Sequence, residues 1–109
     1  MTVLRVSVKR RGDGLVVALT GELDLAEVER VRRRVRKLDE QSPEILYVDM
    51  RGLTFLDSSG LQALVEIDAR GRSQGRRVVF VRGPRTVHRL FELTRLDERV
   101  EFSDELPPD

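Results

Sequence analysis

The 109-residue sequence has no cysteine, no tryptophan, one tyrosine and a single histidine. The missing cysteines exclude a disulfide-stapled scaffold and any thiolate metal site. A serine hydroxyl needs an adjacent base to act as a nucleophile, and the lone His88 falls on the polar face of a predicted helix with no triad around it. The G-x-S-x-G elbow, the G-x-x-x-x-G-K-[ST] phosphate loop and an obvious Mg²⁺ carboxylate dyad are all missing. The chain therefore reads as a non-enzyme, with no cofactor and no metal expected. No apolar run approaches the roughly 20 residues that cross a bilayer, and no secretory segment opens the chain. A free-standing cytoplasmic unit is the expectation. Neither sign of charge dominates: 20 basic residues face 19 acidic ones, for a net charge of +1. There is no global field to gather nucleic acid or anionic lipid, so neither is expected as a direct partner.

What is present fits one domain over residues 1–102, followed by an acidic, proline-containing tail over 103–109. Residues 3–8 alternate apolar with polar, Lys9 to Gly14 turn, and Leu15 to Thr20 resume as a strand, which predicts a β-hairpin with Lys9, Arg10 and Arg11 on a solvated edge. A helix follows with Leu25, Val28, Val31, Val35 and Leu38 inward and an arginine-rich outer face, where Glu27 is spaced to pair with Arg30 and Glu29 with Arg33. That stripe offers no aromatic anchor for a membrane. Ile45 to Met50 is a continuous apolar run, the pattern of a mid-sheet strand covered on both faces. A helix over 59–73 puts Leu61, Leu64, Val65 and Ala69 inward and Asp68 outward, and Val78 to Val81 is a second buried strand. Strand, helix, strand over 45–81 is a βαβ unit. Gly83-Pro84 opens a further helix with Val87, Leu90 and Phe91 inward and His88 outward, and a short strand surrounds Val100 to Phe102.

The chain is organised around Asp49 to Leu64, where a strand ends, a loop turns and a helix starts at Asp57-Ser58-Ser59-Gly60. Ser59 and Gln62 have the spacing of a capping box, which assigns the N-cap to Ser59. Ser58 then falls one residue outside the helix, above unpaired amides and the positive end of the dipole, where a phosphate would be well held. Asp24, with Glu27 three residues on, has the spacing of a cap for the first helix.

Asp57-Ser58-Ser59-Gly60-Leu61 after Leu53-Thr54-Phe55-Leu56, together with Leu19-Thr20-Gly21-Glu22-Leu23-Asp24 upstream, resembles the STAS-domain family, in particular its small stand-alone anti-sigma factor antagonists in bacteria. The resemblance runs from about Val3 to Phe102. It implies an α/β STAS-like fold, a mixed four- to five-stranded sheet with an N-terminal antiparallel hairpin, then parallel βαβ strands, and helices packed against it. It implies that Ser58 is phosphorylated and that Asp24, Asp57, Ser58, Ser59 and Gly60 form a partner-binding site. The implied partners are an anti-sigma factor that is also a serine kinase, and a serine phosphatase that resets the switch. Unphosphorylated, the protein would bind the anti-sigma factor and release a sigma factor. Two other uses of the same fold stand beside this one: an accessory subunit on the ATPase of a lipid-transport complex, and a weak nucleotide-binding protein.

Overall fold

A computed structural model of the chain describes residues 3–108. Five strands form one sheet in the order β1-β2-β3-β4-β5. They are β1 (Arg5–Arg11), β2 (Gly14–Leu23), β3 (Ile45–Leu56), β4 (Arg77–Val81) and β5 (Glu101–Ser103), and the helices are α1 (Val28–Leu38), α2 (Ser58–Ser73) and α3 (Arg85–Leu93). β1 and β2 pair antiparallel, and every later pairing is parallel. This is the mixed sheet expected, with five strands. The hairpin closes through Gly12 and Asp13, with Gly12 at φ 59°, a conformation costly for residues that carry a Cβ.

Side chains alternate across each strand, so every strand presents two faces. Leu15, Val17 and Leu19 of β2, Leu46, Val48 and Met50 of β3, and Val78 and Phe80 of β4 share one buried cluster with Val31, Val35 and Leu38 of α1, Leu61, Leu64 and Ile67 of α2, and Val87 and Phe91 of α3. All three helices thus cover one face of the sheet. On the other face Val16, Val79 and Val81 are buried while Ile45 and Tyr47 are only half-buried. The apolar run of β3 is central in the sheet, as expected, but it is not equally covered on both sides. Asp49 is buried on that second face and chelated by Arg51, with Nε to Oδ1 at 2.9 Å and Nη2 to Oδ2 at 3.0 Å. Burial pushes the Asp49 carboxyl up, but the Arg51 hydrogen bonds prevail and hold it below its ordinary range. The two edges are blunted, β1 by exposed Arg5, Lys9 and Arg10 and β5 by its length of three residues. After β5 the chain stays attached: Asp104 pairs with Arg82, and Arg11 Nε donates to the Pro107 carbonyl at 2.6 Å.

Several inward and outward assignments change. Strand β1 begins at Arg5, and β3 continues six residues past Met50 to Leu56. On α2 the buried residues are Gly60, Leu61, Ala63, Leu64, Ile67, Asp68 and Gly71, whereas Val65 is half-buried and Ala69 exposed. Short residues explain the rotation: Gly60, Ala63 and Gly71 let the helix approach closely along a line that ranking by side-chain apolarity overlooks. Asp68 is drawn inside with that line. Arg72 reaches it at 3.2 Å, yet burial outweighs the ion pair and raises the Asp68 carboxyl above its ordinary range. His88, expected in solvent, is half-buried edge-on to Phe102 with ring centroids 4.8 Å apart, because β5 extends the sheet beneath that flank of α3. On α1, Glu27 pairs with Arg30 as spaced, while Glu29 takes Arg32 instead of Arg33, leaving Arg32 to bridge to Glu66 of α2.

Candidate functional site

β2 and β3 run parallel, so their carboxyl ends lie side by side, and the loops into α1 and α2 meet there. The added length of β3 carries this end beyond β4. Register shifts between Ala18 and Thr20 and between Gly21 and Glu22 mark irregularities as the strands approach it. Thr54 Oγ1 donates to the Gly21 carbonyl at 3.2 Å, and Asp57 N donates to the Leu23 carbonyl at 3.3 Å, closing the two strand ends together.

The N-cap of α2 is Asp57, not Ser59. Asp57 is extended (φ −100°, ψ −179°) and its Oδ1 accepts from Gly60 N at 2.8 Å, the third residue of the helix. The first helical bond runs from Leu61 N to the Asp57 carbonyl at 2.9 Å. Ser58 and Ser59 are therefore the first two residues of the helix, and the Ser59 to Gln62 capping box does not form. Aspartate and serine are comparable caps, so local preference does not choose between them; the course of β3 up to Leu56 brings Asp57 first to the turn. Ser58 is exposed, and its hydroxyl makes no hydrogen bond among the described residues; Ser59 is half-buried. The Ser58 and Ser59 amides precede the first helical bond and have no acceptor within the helix.

Gly60 is buried where α2 leaves the sheet. A Cβ there would lie 2.6 Å from the Leu23 carbonyl oxygen and 2.7 Å from Leu56 Cδ1, so this contact of helix and strand requires glycine.

Asp24 does not cap α1. Its Oδ1 accepts from Ala26 N at 3.1 Å and its carbonyl from Glu27 N at 3.0 Å, making an isolated turn ahead of the helix. The helix begins at Val28 with Glu27 at its N-cap position and no side-chain cap. The extra turn places Leu25 outside the core, at 72 % exposure. Asp57 then reaches across, with Leu25 N donating to its Oδ2 at 3.2 Å. One carboxylate so serves two elements: Oδ1 caps α2 and Oδ2 holds the β2–α1 loop. Asp24, Asp57, Ser58, Ser59 and Gly60 are brought together at one end of the molecule. The motif spacing did not reveal the role of Leu25 or the exposure of Phe55 at 46 %. Alternation along β3 could not have revealed Phe55, because it breaks there: Leu53 and Leu56 are both buried, with Thr54 and Phe55 both exposed between them.

The site offers carboxylates, hydroxyls and amides. Among the described residues no group of three or more His, Cys, Asp or Glu could hold a metal ion, and no helix is long and apolar enough to cross a membrane.

The chain is similar to known proteins in sequence and in overall fold. The anti-sigma-B factor antagonist of Bacillus subtilis is 25% identical over 100 residues, which are 92% of this chain and 91% of that protein. The crystal structure of an anti-sigma factor antagonist from Mycobacterium paratuberculosis superposes with a TM-score of 0.81 at 28% identity, over 95% of this chain and 88% of that one. The Bacillus cell fate determinant SpoIIAA in its phosphorylated form shares the fold, with a TM-score of 0.71 at 20% identity over 93% of each chain. The family model of the STAS domain matches residues 5–107, and the chain belongs to that family.

Proposed function

We propose that this protein is an anti-sigma factor antagonist working by partner switching in the cytoplasm. Unphosphorylated, it binds an anti-sigma factor that is also a serine kinase and so releases a sigma factor. The kinase phosphorylates Ser58, binding ends, and a serine phosphatase restores the free hydroxyl. In this reading the chain is substrate and switch, not enzyme, and touches neither nucleic acid nor membrane. Asp24, Asp57, Ser58, Ser59 and Gly60 form the contact.

One observation carries the reading: Ser58 is the exposed first residue of α2, with a free hydroxyl, while the adjacent Asp57 takes over the capping that would otherwise occupy a serine. Modification there costs the helix nothing, and the helix amides favour the added anion. Relatives that match over most of the chain include proteins named anti-sigma factor antagonists, and one of these, SpoIIAA, was solved in a phosphorylated form.

The test is to incubate the chain with ATP and candidate kinase-type anti-sigma factors and to map the phosphate by mass spectrometry. Phosphate on Ser58 is expected. Phosphate on Ser59, or none with any candidate, would overturn the reading.

A further inference from the structure

Four large apolar side chains stand exposed among the described residues: Val3, Leu25, Phe55 and Leu93. Two of them stand at the strand ends that lead into the loops meeting beside Ser58. The Leu25 amide is hydrogen-bonded to the neighbouring Asp57 carboxylate at 3.2 Å. Phe55 lies three residues before Ser58, a length of chain that spans at most about 10 Å. Neither is a displaced core residue, because Leu23 and Leu56 fill the buried positions at these strand ends. A single exposed apolar side chain is ordinary on a protein surface. Two of them at the strand ends that converge on one serine, one tied by its backbone to the residue beside that serine, gain free energy when another surface covers them.

We infer that Leu25 and Phe55 are the apolar anchors through which the phosphorylating anti-sigma factor grips this chain. The inference rests on the function proposed above. It commits to that occupant because an enzyme transferring phosphate to Ser58 must close over the hydroxyl and shed water from it, and a surface of that reach covers both side chains. The partner is therefore a protein whose kinase surface presents apolar depressions beside the phosphate-transfer centre. Large, desolvated apolar groups near the middle of an interface carry a disproportionate share of its affinity. Asp57 joins anchor to switch, since the same carboxylate caps α2 through Oδ1 and holds the Leu25 loop through Oδ2. A kinase seated on Leu25 and Phe55 must enclose the phosphate it has just placed next to Asp57, which is what ends the complex.

Calorimetry against the recombinant kinase-type anti-sigma factors of the chain's own host, with ADP and magnesium, identifies the one that binds, and ATP then reports whether Ser58 is its target. Against that protein, Leu25→Ala and Phe55→Ala each weaken binding about tenfold or more, and the double variant weakens it further. Leu93→Ala, which removes a side chain 68 % exposed on α3, binds as the wild type does. Circular dichroism and thermal midpoints stay those of the wild type. Should Phe55→Ala fail to fold, Phe55→Thr keeps a strand-forming residue and takes its place. If the double variant binds within about twofold of the wild type, or Leu93→Ala loses as much, the anchors are refuted while the Ser58 switch stands. If no such kinase binds or phosphorylates the wild type, the switch is refuted and the anchors fall with it.

Discussion

A methyl group on Gly60 would sit 2.6 Å from the backbone oxygen of Leu23, which fixes how closely α2 approaches the end of β2. In an ordinary helix, glycine to alanine stabilises by about 1 kcal/mol. Here the obstacle is backbone and cannot rotate away, so Gly60→Ala is expected to destabilise by about 1–3 kcal/mol net, as overpacking of a filled site does. Urea unfolding checks the sign, and a more stable variant would show that the helix start can slide.

The two candidate caps separate cleanly. Asp57→Ala loses the bond to Gly60 N and the hold on Leu25 N, and should cost about 0.5–2 kcal/mol. Ser59→Ala should stay within about 0.5 kcal/mol of the wild type, since Ser59 caps nothing. Denaturant midpoints of the two variants, compared at equal slope, decide between these assignments.

That pair also shows how far the sequence could be read. The hairpin, the βαβ unit and the three helices follow from hydrophobic period and turn residues, and the structure has them all. The cap was misplaced because Asp57-Ser58-Ser59-Gly60 offers adjacent residues of similar capping strength. Only the course of β3 up to Leu56, a tertiary matter, chooses between them. Helical spacing puts Leu25 inward only for a helix that starts at Asp24; the turn closed by Glu27 N on the Asp24 carbonyl breaks that spacing. His88 and Asp68 read as outward from the sequence because no local signal announces that β5 or the close packing of α2 covers them.

Asp24→Asn preserves shape and leaves an oxygen to accept from Ala26 N, while removing a charge from the site. The fold should be unchanged and affinity for the anti-sigma factor should fall. Titration calorimetry giving the wild-type affinity would confine Asp24 to its turn.

Ser58 phosphorylation adds a charge of about −1.5 to −2 beside Asp57. Enclosing it under a partner surface should weaken binding by on the order of a hundredfold or more, and Ser58→Asp, with one charge, should lose less in the same direction. The domain itself should not rearrange, because the phosphate meets amides that have no helical acceptor. Backbone chemical shifts of the two forms should differ near Ser58 and not across Leu46, Val48, Val78 and Phe80.

Asp68 gives a pH dependence of determined sign. Burial raises its carboxyl in the folded state, with Arg72 opposing, so the folded protein favours the protonated form more than the unfolded chain does. The stabilisation from that proton is fully present below the unfolded value of about 3.9 and is lost as pH rises through the higher folded value. Asp68→Asn cannot ionise, so its stability relative to the wild type should increase between about pH 3 and pH 7. Paired urea titrations across that range measure the difference, and a constant offset would mean that Arg72 fully compensates the buried charge.

The strands lie in the sheet in the order in which they occur along the chain. This bears on biosynthesis. Each strand leaving the ribosome finds the neighbour it pairs with already made, and none must later be inserted between two others. No strand pairing closes more than one helical crossover, and closure entropy grows only slowly with loop length. Every group of the candidate site, from Asp24 to Gly60, has been synthesised before β4, α3 and β5 exist, so this end of the molecule can be in register while the remainder of the core is still being made.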